Sequence, residues 1–201
     1  MAFTRTELLG YQNAEVPDLL GPGLRLLFVG INPGLWSAAT GTHFARPGNR
    51  FYPALAAAGI TDRLIRAGEG MTEDDRSHLI ARGVGITNVV SRASARADEL
   101  GRAELQEGAL RLADKVAVLG PGVVAVAGIT AYRVGFGRPR AQLGRQPEAI
   151  GGAELWAVPN PSGLNAHQTV ATLAAAYRQP ALAAGLVLAG SVQGETPERA
   201  F

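Results

Sequence analysis

Cysteine is absent from this chain of 201 residues. That excludes disulfides, thiolate nucleophiles, iron–sulfur clusters and every zinc site that needs thiolate. Lysine is nearly absent: of 19 basic residues only Lys115 is a lysine, so eighteen are arginine. Lys115 is not followed by Ser or Thr, which excludes a Gly-Lys-Ser/Thr phosphate loop. A single amine also leaves little for Schiff-base chemistry. The three histidines, His43, His78 and His167, are too dispersed to suggest a metal cage. Long apolar runs are missing too; the stretch from Val116 to Tyr132 is broken by Gly120-Pro121-Gly122, and Met1-Ala2-Phe3-Thr4-Arg5 leads into polar residues rather than a signal core. These absences predict a cytoplasmic protein, with no membrane partner, no metal and no cofactor.

What is present fits one domain over residues 1–188, with residues 189–201 a frayed tail. The net charge of +2 is a weak attraction for an anionic partner. The arginine excess has two readings: guanidinium forks suited to phosphate, or the codon bias of a GC-rich genome, which heavy Gly and Ala use also suggests. Four apolar runs read as buried strands: 24–31, 84–90, 123–127 and 155–158. Between them lie helical stretches at 50–58, from Thr72 to near Gly83, at 103–118 and at 129–135. A last helix, 168–178, precedes Pro180, which stops or kinks it. Strands alternating with helices predict a parallel sheet covered on both faces, with any ligand beyond the strands' carboxyl ends. The two oddest loops, 32–50 and 159–167, follow such ends and belong on one edge.

The first loop opens Gly30-Ile31-Asn32-Pro33-Gly34. Proline fixes the exit from the strand, and Asn32 brings an amide to the mouth of any pocket there, able to orient a water or merely to make a turn. Further on, Phe44 is an aromatic in a polar loop, able to stack on a flat ring or to fold back on the core. The second loop reads Pro159-Asn160-Pro161-Ser162-Gly163-Leu164-Asn165. Leu164 at its tip is either a helix-entry staple or a wedge that fills the gap left by a displaced base.

Gly-Ile-Asn-Pro-Gly at 30–34, Gly-Thr-His-Phe-Ala-Arg-Pro-Gly-Asn-Arg-Phe at 41–51, and Asn-Pro-Ser-Gly-Leu at 160–164 together resemble the mismatch-specific uracil/thymine DNA glycosylases of the uracil-DNA glycosylase superfamily. The similarity covers roughly residues 24–180, including Gly83 to Val90. The resemblance implies a three-layer α/β/α sandwich around a central, mainly parallel four-stranded sheet. It implies a monomeric, monofunctional DNA glycosylase, nucleoid-associated, that flips out and hydrolyses uracil, or thymine and other modified pyrimidines, from G:U-type mismatches in double-stranded DNA during base excision repair. By the same resemblance Asn32 positions the water, Phe44 stacks on the flipped base, and the Ile31 and Phe44 amides meet its polar edge. Gly34 and Ser37 shape the pocket. Asn160 stands where uracil-specific relatives carry His, and glycine at 34 where they carry Tyr, which leaves the C5 side open. Leu164 is the wedge, with Gly163 and Asn165 beside it; Ser162, Arg46 and Arg92 are candidate backbone contacts, with Arg96 a further one.

Three positions depart from that pattern. Trp36 replaces a small residue and is expected to narrow or cover the pocket. Asn165-Ala166 lacks an arginine that bacterial relatives can carry, and Asn88 stands where some have Lys. No general base is apparent, since Asp98 and Glu99 are remote. A non-catalytic DNA-binding module and a nucleoside hydrolase remain as alternatives; a wedge at Leu164 is needed only for duplex substrates.

Overall fold

Runs made mostly of Leu, Val, Ile and Ala form strands that are largely buried on both faces. In the computed structural model, which describes residues 3–190, these are β1 (Leu26–Gly30), β2 (Val84–Asn88), β3 (Val123–Ala127) and β5 (Ala153–Val158), all parallel, with β4 (Gly144–Ile150) antiparallel to β5. The strand order is β2-β1-β3-β5-β4. Alternate side chains serve opposite layers. Leu26 and Phe28 pack with α3 (Phe51–Ala57), α4 (Glu73–Ala81) and α7 (Val170–Ala183). Leu27 and Val29 pack with α5 (Arg102–Leu119) and α6 (Ile129–Gly135). Each fully buried side chain of this size contributes about 1.5–3 kcal/mol relative to exposure.

From β1 the chain winds to β2 on one side, then returns through α5 to β3 on the other side of β1. That reversal leaves a crevice outside the carboxyl ends of the parallel strands. Both unusual loops open into it.

The sheet has five strands, not four. β4 carries Arg145, Pro147 and Glu148, a composition that does not read as strand. It is tolerated because β4 is the edge, where a proline without N–H and outward charges also block further pairing; the register shifts between Arg145 and Ala149. Two short helices also lie outside the sequence expectation. α1 (Arg5–Leu9) is set by a Thr4–Glu7 capping box, and α2 (Leu35–Thr40) lies inside the stretch expected to be loop. Pro180 does not end α7, which runs on to Ala183 because Tyr177 and Ala181 are packed in the core on either side of it. Of the expected tail, Ala189 donates to the Gly59 carbonyl at 2.7 Å, and residues 191–201 lie outside the described residues.

Candidate active site

Asn32 leaves β1 with its side-chain orientation fixed chemically. Its Nδ2 donates toward the Pro33 carbonyl (3.1 Å), the Arg92 carbonyl (3.1 Å) and Ser94 Oγ (2.8 Å). Ser94 Oγ itself donates to the Arg96 carbonyl at 2.7 Å, so it too is an acceptor toward Asn32. Carbonyls can only accept, so the NH₂ must point at them. Oδ1 is left without a partner among the described residues. Asn32 lines a cavity of about 410 Å³ together with Ile31, Gly34, Ser37, Phe44, Asn88 and Asn160, among others.

Phe44 forms one wall. Its ring stacks on core Phe51 (centroids 4.1 Å apart, 21° between planes), and its backbone sits at φ 56°, unusual for a bulky residue. Such strain persists only where the surroundings over-determine it. Here Tyr52 Oη donates to the preceding His43 carbonyl (2.8 Å), and the next amide, Ala45 N–H, donates to buried Ser37 Oγ (3.4 Å). Gly30 makes room for the ring: a Cβ there would lie 3.2 Å from Phe44 Cζ and 2.3 Å from Asn88 Oδ1. At Gly34 a Cβ would meet nothing within 4 Å, so that side of the cavity is open.

The second loop closes the opposite side. Asn160 Oδ1 accepts from Ser162 N–H (2.9 Å), a tight turn of the kind Asn makes, while Asn165 Nδ2 donates to the Asn160 carbonyl (3.3 Å). Arg50 holds the whole loop. Its guanidinium donates to the carbonyls of Ser162 (2.7 Å), Asn165 (2.8 Å) and Gln168. The Arg50 amide donates to the Pro161 carbonyl (3.0 Å). Gly163 allows the two loops to touch, since a Cβ there would lie 2.7 Å from the Gly48 carbonyl oxygen. Buried Tyr177 on α7 donates to the Pro159 carbonyl (3.0 Å) at the loop's root. Leu164 at the tip is 78% exposed, so it is no staple for the helix that follows.

Residues 17–183 match the family model described as the uracil DNA glycosylase superfamily. The chain belongs to that superfamily. A solved structure of similar fold is the solution NMR structure of a provisional uracil DNA glycosylase from Methanosarcina acetivorans, with 15% identity, a TM-score of 0.55, and coverage of 82% of this chain and 98% of that one.

Within this superfamily member, the remaining expected contacts divide. Arg46 is exposed at the cavity rim. Arg92 is not available in the same way: its fork pairs with both oxygens of Glu104 (2.5 and 2.8 Å) and also reaches Asn13. Each partner favours the other's charged form, chiefly through that hydrogen bond. Arg92 therefore braces the 91–101 loop, whose backbone carbonyl holds Asn32. Arg96 lies at the rim but pairs with Asp98. Trp36 does not cover the cavity; its indole donates to the Gly68 carbonyl (2.8 Å) and meets Phe3 edge-on. Lys115 is bound by Asp18 (2.6 Å) and Thr87 (3.1 Å) away from the cavity. Among the described residues, no three His, Asp or Glu side chains gather as metal ligands would.

Three functional contributions were not legible in the sequence. Arg50 could brace either loop or DNA until its three carbonyl partners are seen. Ser94 carries no motif of its own. Asn88 reads only as a missing lysine, yet it ends β2 beside Gly30 and brings an amide to the cavity.

Proposed function

We propose that the chain is a monofunctional DNA glycosylase that takes uracil, and other pyrimidines carrying an extra group at C5, out of mispaired positions in double-stranded DNA. The observation that carries this reading is Asn32: three acceptors hold its NH₂, which leaves Oδ1 free on a residue that lines a cavity walled by an aromatic ring and an exposed leucine. A duplex base is out of reach until it is flipped, which costs a few kcal/mol and least at a mispair. Leu164 occupies the gap it leaves. The flipped ring stacks on the free face of Phe44, with the Asn88 amide at its polar edge and the Asn160 Nδ2 as a further donor.

The C1′–N1 bond then breaks with its electron pair passing to the base, and water oxygen bonds to C1′. Asn32 Oδ1 accepts a hydrogen bond from that water and fixes its approach, while the proton passes on to solvent. Neutral amides orient well but are weak bases, so turnover is slow. Open space at Gly34 leaves room for a C5 substituent. With alanine at 166 no side chain is offered there to the opposite strand, so dependence on an opposing guanine is loose. The enzyme acts as a monomer in the cytoplasm, at the nucleoid, at the start of base excision repair.

The test is single-turnover excision of uracil, thymine and an etheno base, each opposite G or A and in single strands. We expect uracil opposite G to be released fastest, with thymine released measurably. Cleavage of no substrate would favour a binding module, and release from nucleosides alone would favour a nucleoside hydrolase.

A further inference from the structure

His43 is buried, 5% exposed, at the wall of the same cavity. Both of its ring nitrogens are nonetheless engaged. Nε2 lies 3.0 Å from the Pro17 carbonyl, which can only accept, so the proton sits on Nε2. Burial holds the ring below the ordinary histidine pKa; Arg76 and Lys115 act in the same direction, against Asp18 and the Pro17 bond. In the neutral ring Nδ1 is then a lone pair, and it lies 3.0 Å from Asn88 Nδ2. The Asn88 amide has to offer its NH₂ to His43. Its Oδ1 is thereby turned toward Gly30, next to the edge of the Phe44 ring.

The Pro17 carbonyl is itself fixed. The next residue, Asp18, accepts from Thr87 Oγ1 (2.6 Å) and from Lys115 Nζ (2.6 Å), and Thr87 adjoins Asn88 on β2. The single lysine thus anchors the far end of a chain of contacts that runs through Asp18 and Pro17 to His43 and ends at the Asn88 amide.

We propose that His43 is a positioning residue that sets the base preference of the pocket: by claiming the Asn88 NH₂ it turns the Asn88 carbonyl toward the base, so the site selects bases presenting an imide N–H and rejects those whose N3 is alkylated. This rests on the glycosylase reading and deepens it. A ring stacked on Phe44 brings its edge to Asn88 Oδ1. An N3–H of uracil or thymine donates there, whereas an N3-methyl group meets a fixed oxygen.

Two measurements test it. The first is a long-range ¹H–¹⁵N spectrum of the histidines in the free protein, which reads the tautomer without any activity. A neutral His43 protonated at Nε2 is expected; a proton on Nδ1 overturns the inference. The second is excision of uracil against 3-methyluracil, both opposite G, in wild type, His43→Leu, His43→Asn and Asn88→Ala. The Leu variant frees the Asn88 amide, and the preference for uracil should fall about tenfold, the worth of one oriented hydrogen bond. The Asn variant offers Oδ1 where Nδ1 stood and should restore the preference. Thermal unfolding of each variant separates misfolding from misreading. Should wild type release uracil while the ratio stays unmoved in His43→Leu, the inference fails alone. Should wild type release neither base, the glycosylase reading fails and takes the inference with it.

Discussion

The loop after β1 and the loop after β5 meet over one cavity, yet they are built in opposite ways. The first turns its polar side chains inward on its own backbone and its neighbours: Asn32, Ser37, Thr42 and His43 each hold or are held by a main-chain group. The last three are buried. The second makes its own turn bonds around Asn160, Ser162 and Asn165, and is in addition gripped from outside, by Arg50 of the first loop and by Tyr177 of α7. Its tip side chain stands in solvent. A residue that must aim a water needs a frame in which every alternative orientation leaves a buried polar group unpaired. A side chain that must enter a duplex needs only a firm root and a free end. On the proposed reading the first loop is preorganised for chemistry, and the second is a scaffold for a wedge.

The largest expected effect tests the first half of that contrast. Asn32→Ala should lower single-turnover excision by about 10²-fold or more, because the water loses its guide, while duplex binding stays within a factor of about two. Equal losses in binding and rate would show that Asn32 supports the loop rather than the reaction. Asn32→Asp is the sharper comparison. A carboxylate cannot donate, so it would face the Pro33 and Arg92 carbonyls with like polarity. Its stability should drop even though its basicity rises.

Next in size is Arg50→Met, which keeps much of the side chain's bulk and removes the grip. Loss of charged hydrogen bonds to three carbonyls should cost about 2 kcal/mol in unfolding free energy. Duplex excision should fall with it, and excision from single strands less. A variant as stable and as active as wild type would mean that the second loop holds its own shape.

Leu164→Ala tests the free end. Because the side chain is exposed, unfolding should change by no more than about 0.5 kcal/mol. Duplex excision should fall about tenfold, part of the flipping cost, and single-strand excision should not change. Equal loss on both substrates would return Leu164 to a plain loop residue.

How far such features were legible from sequence follows the same division. The four parallel strands read directly, because burial on both faces leaves mostly apolar runs. β4 did not, since edge position and not composition makes it a strand. Thr4-Arg5-Thr6-Glu7 carries a capping-box pattern, so α1 had a usable local signal. Asn32, Phe44 and Leu164 stood out because each is odd for its loop, and all three line the cavity. Arg92 and Trp36 stood out equally, but pairing with Glu104 and with the Gly68 carbonyl are long-range contacts that no local pattern encodes. His43 and Asn88 are separated by 45 residues, and only the folding of the first loop over the end of β2 brings them together.

The smallest effect concerns that pair and the cost of burying it in the first loop. Burial chiefly holds His43 below its ordinary value of 6.5, so the folded ring stays neutral where the unfolded ring would already take a proton. Between the folded and unfolded values the unfolded state therefore binds more protons, and stability rises with pH in that window. The contribution of His43 is fully present above pH 6.5 and is lost as pH falls from there to the folded value, below which it levels off. Tm measured from pH 7.5 downward should decline through this window more steeply in wild type than in His43→Asn, which has no proton to take at that position. Every other titratable group is common to both proteins, so the comparison is of their slopes rather than of wild type alone. Parallel slopes would mean that the folded ring takes its proton as readily as the unfolded one, so that burial and the Asn88 contact do not hold it neutral. The first loop would lose the feature that sets it apart from the second, an inward polar network satisfied without any net charge.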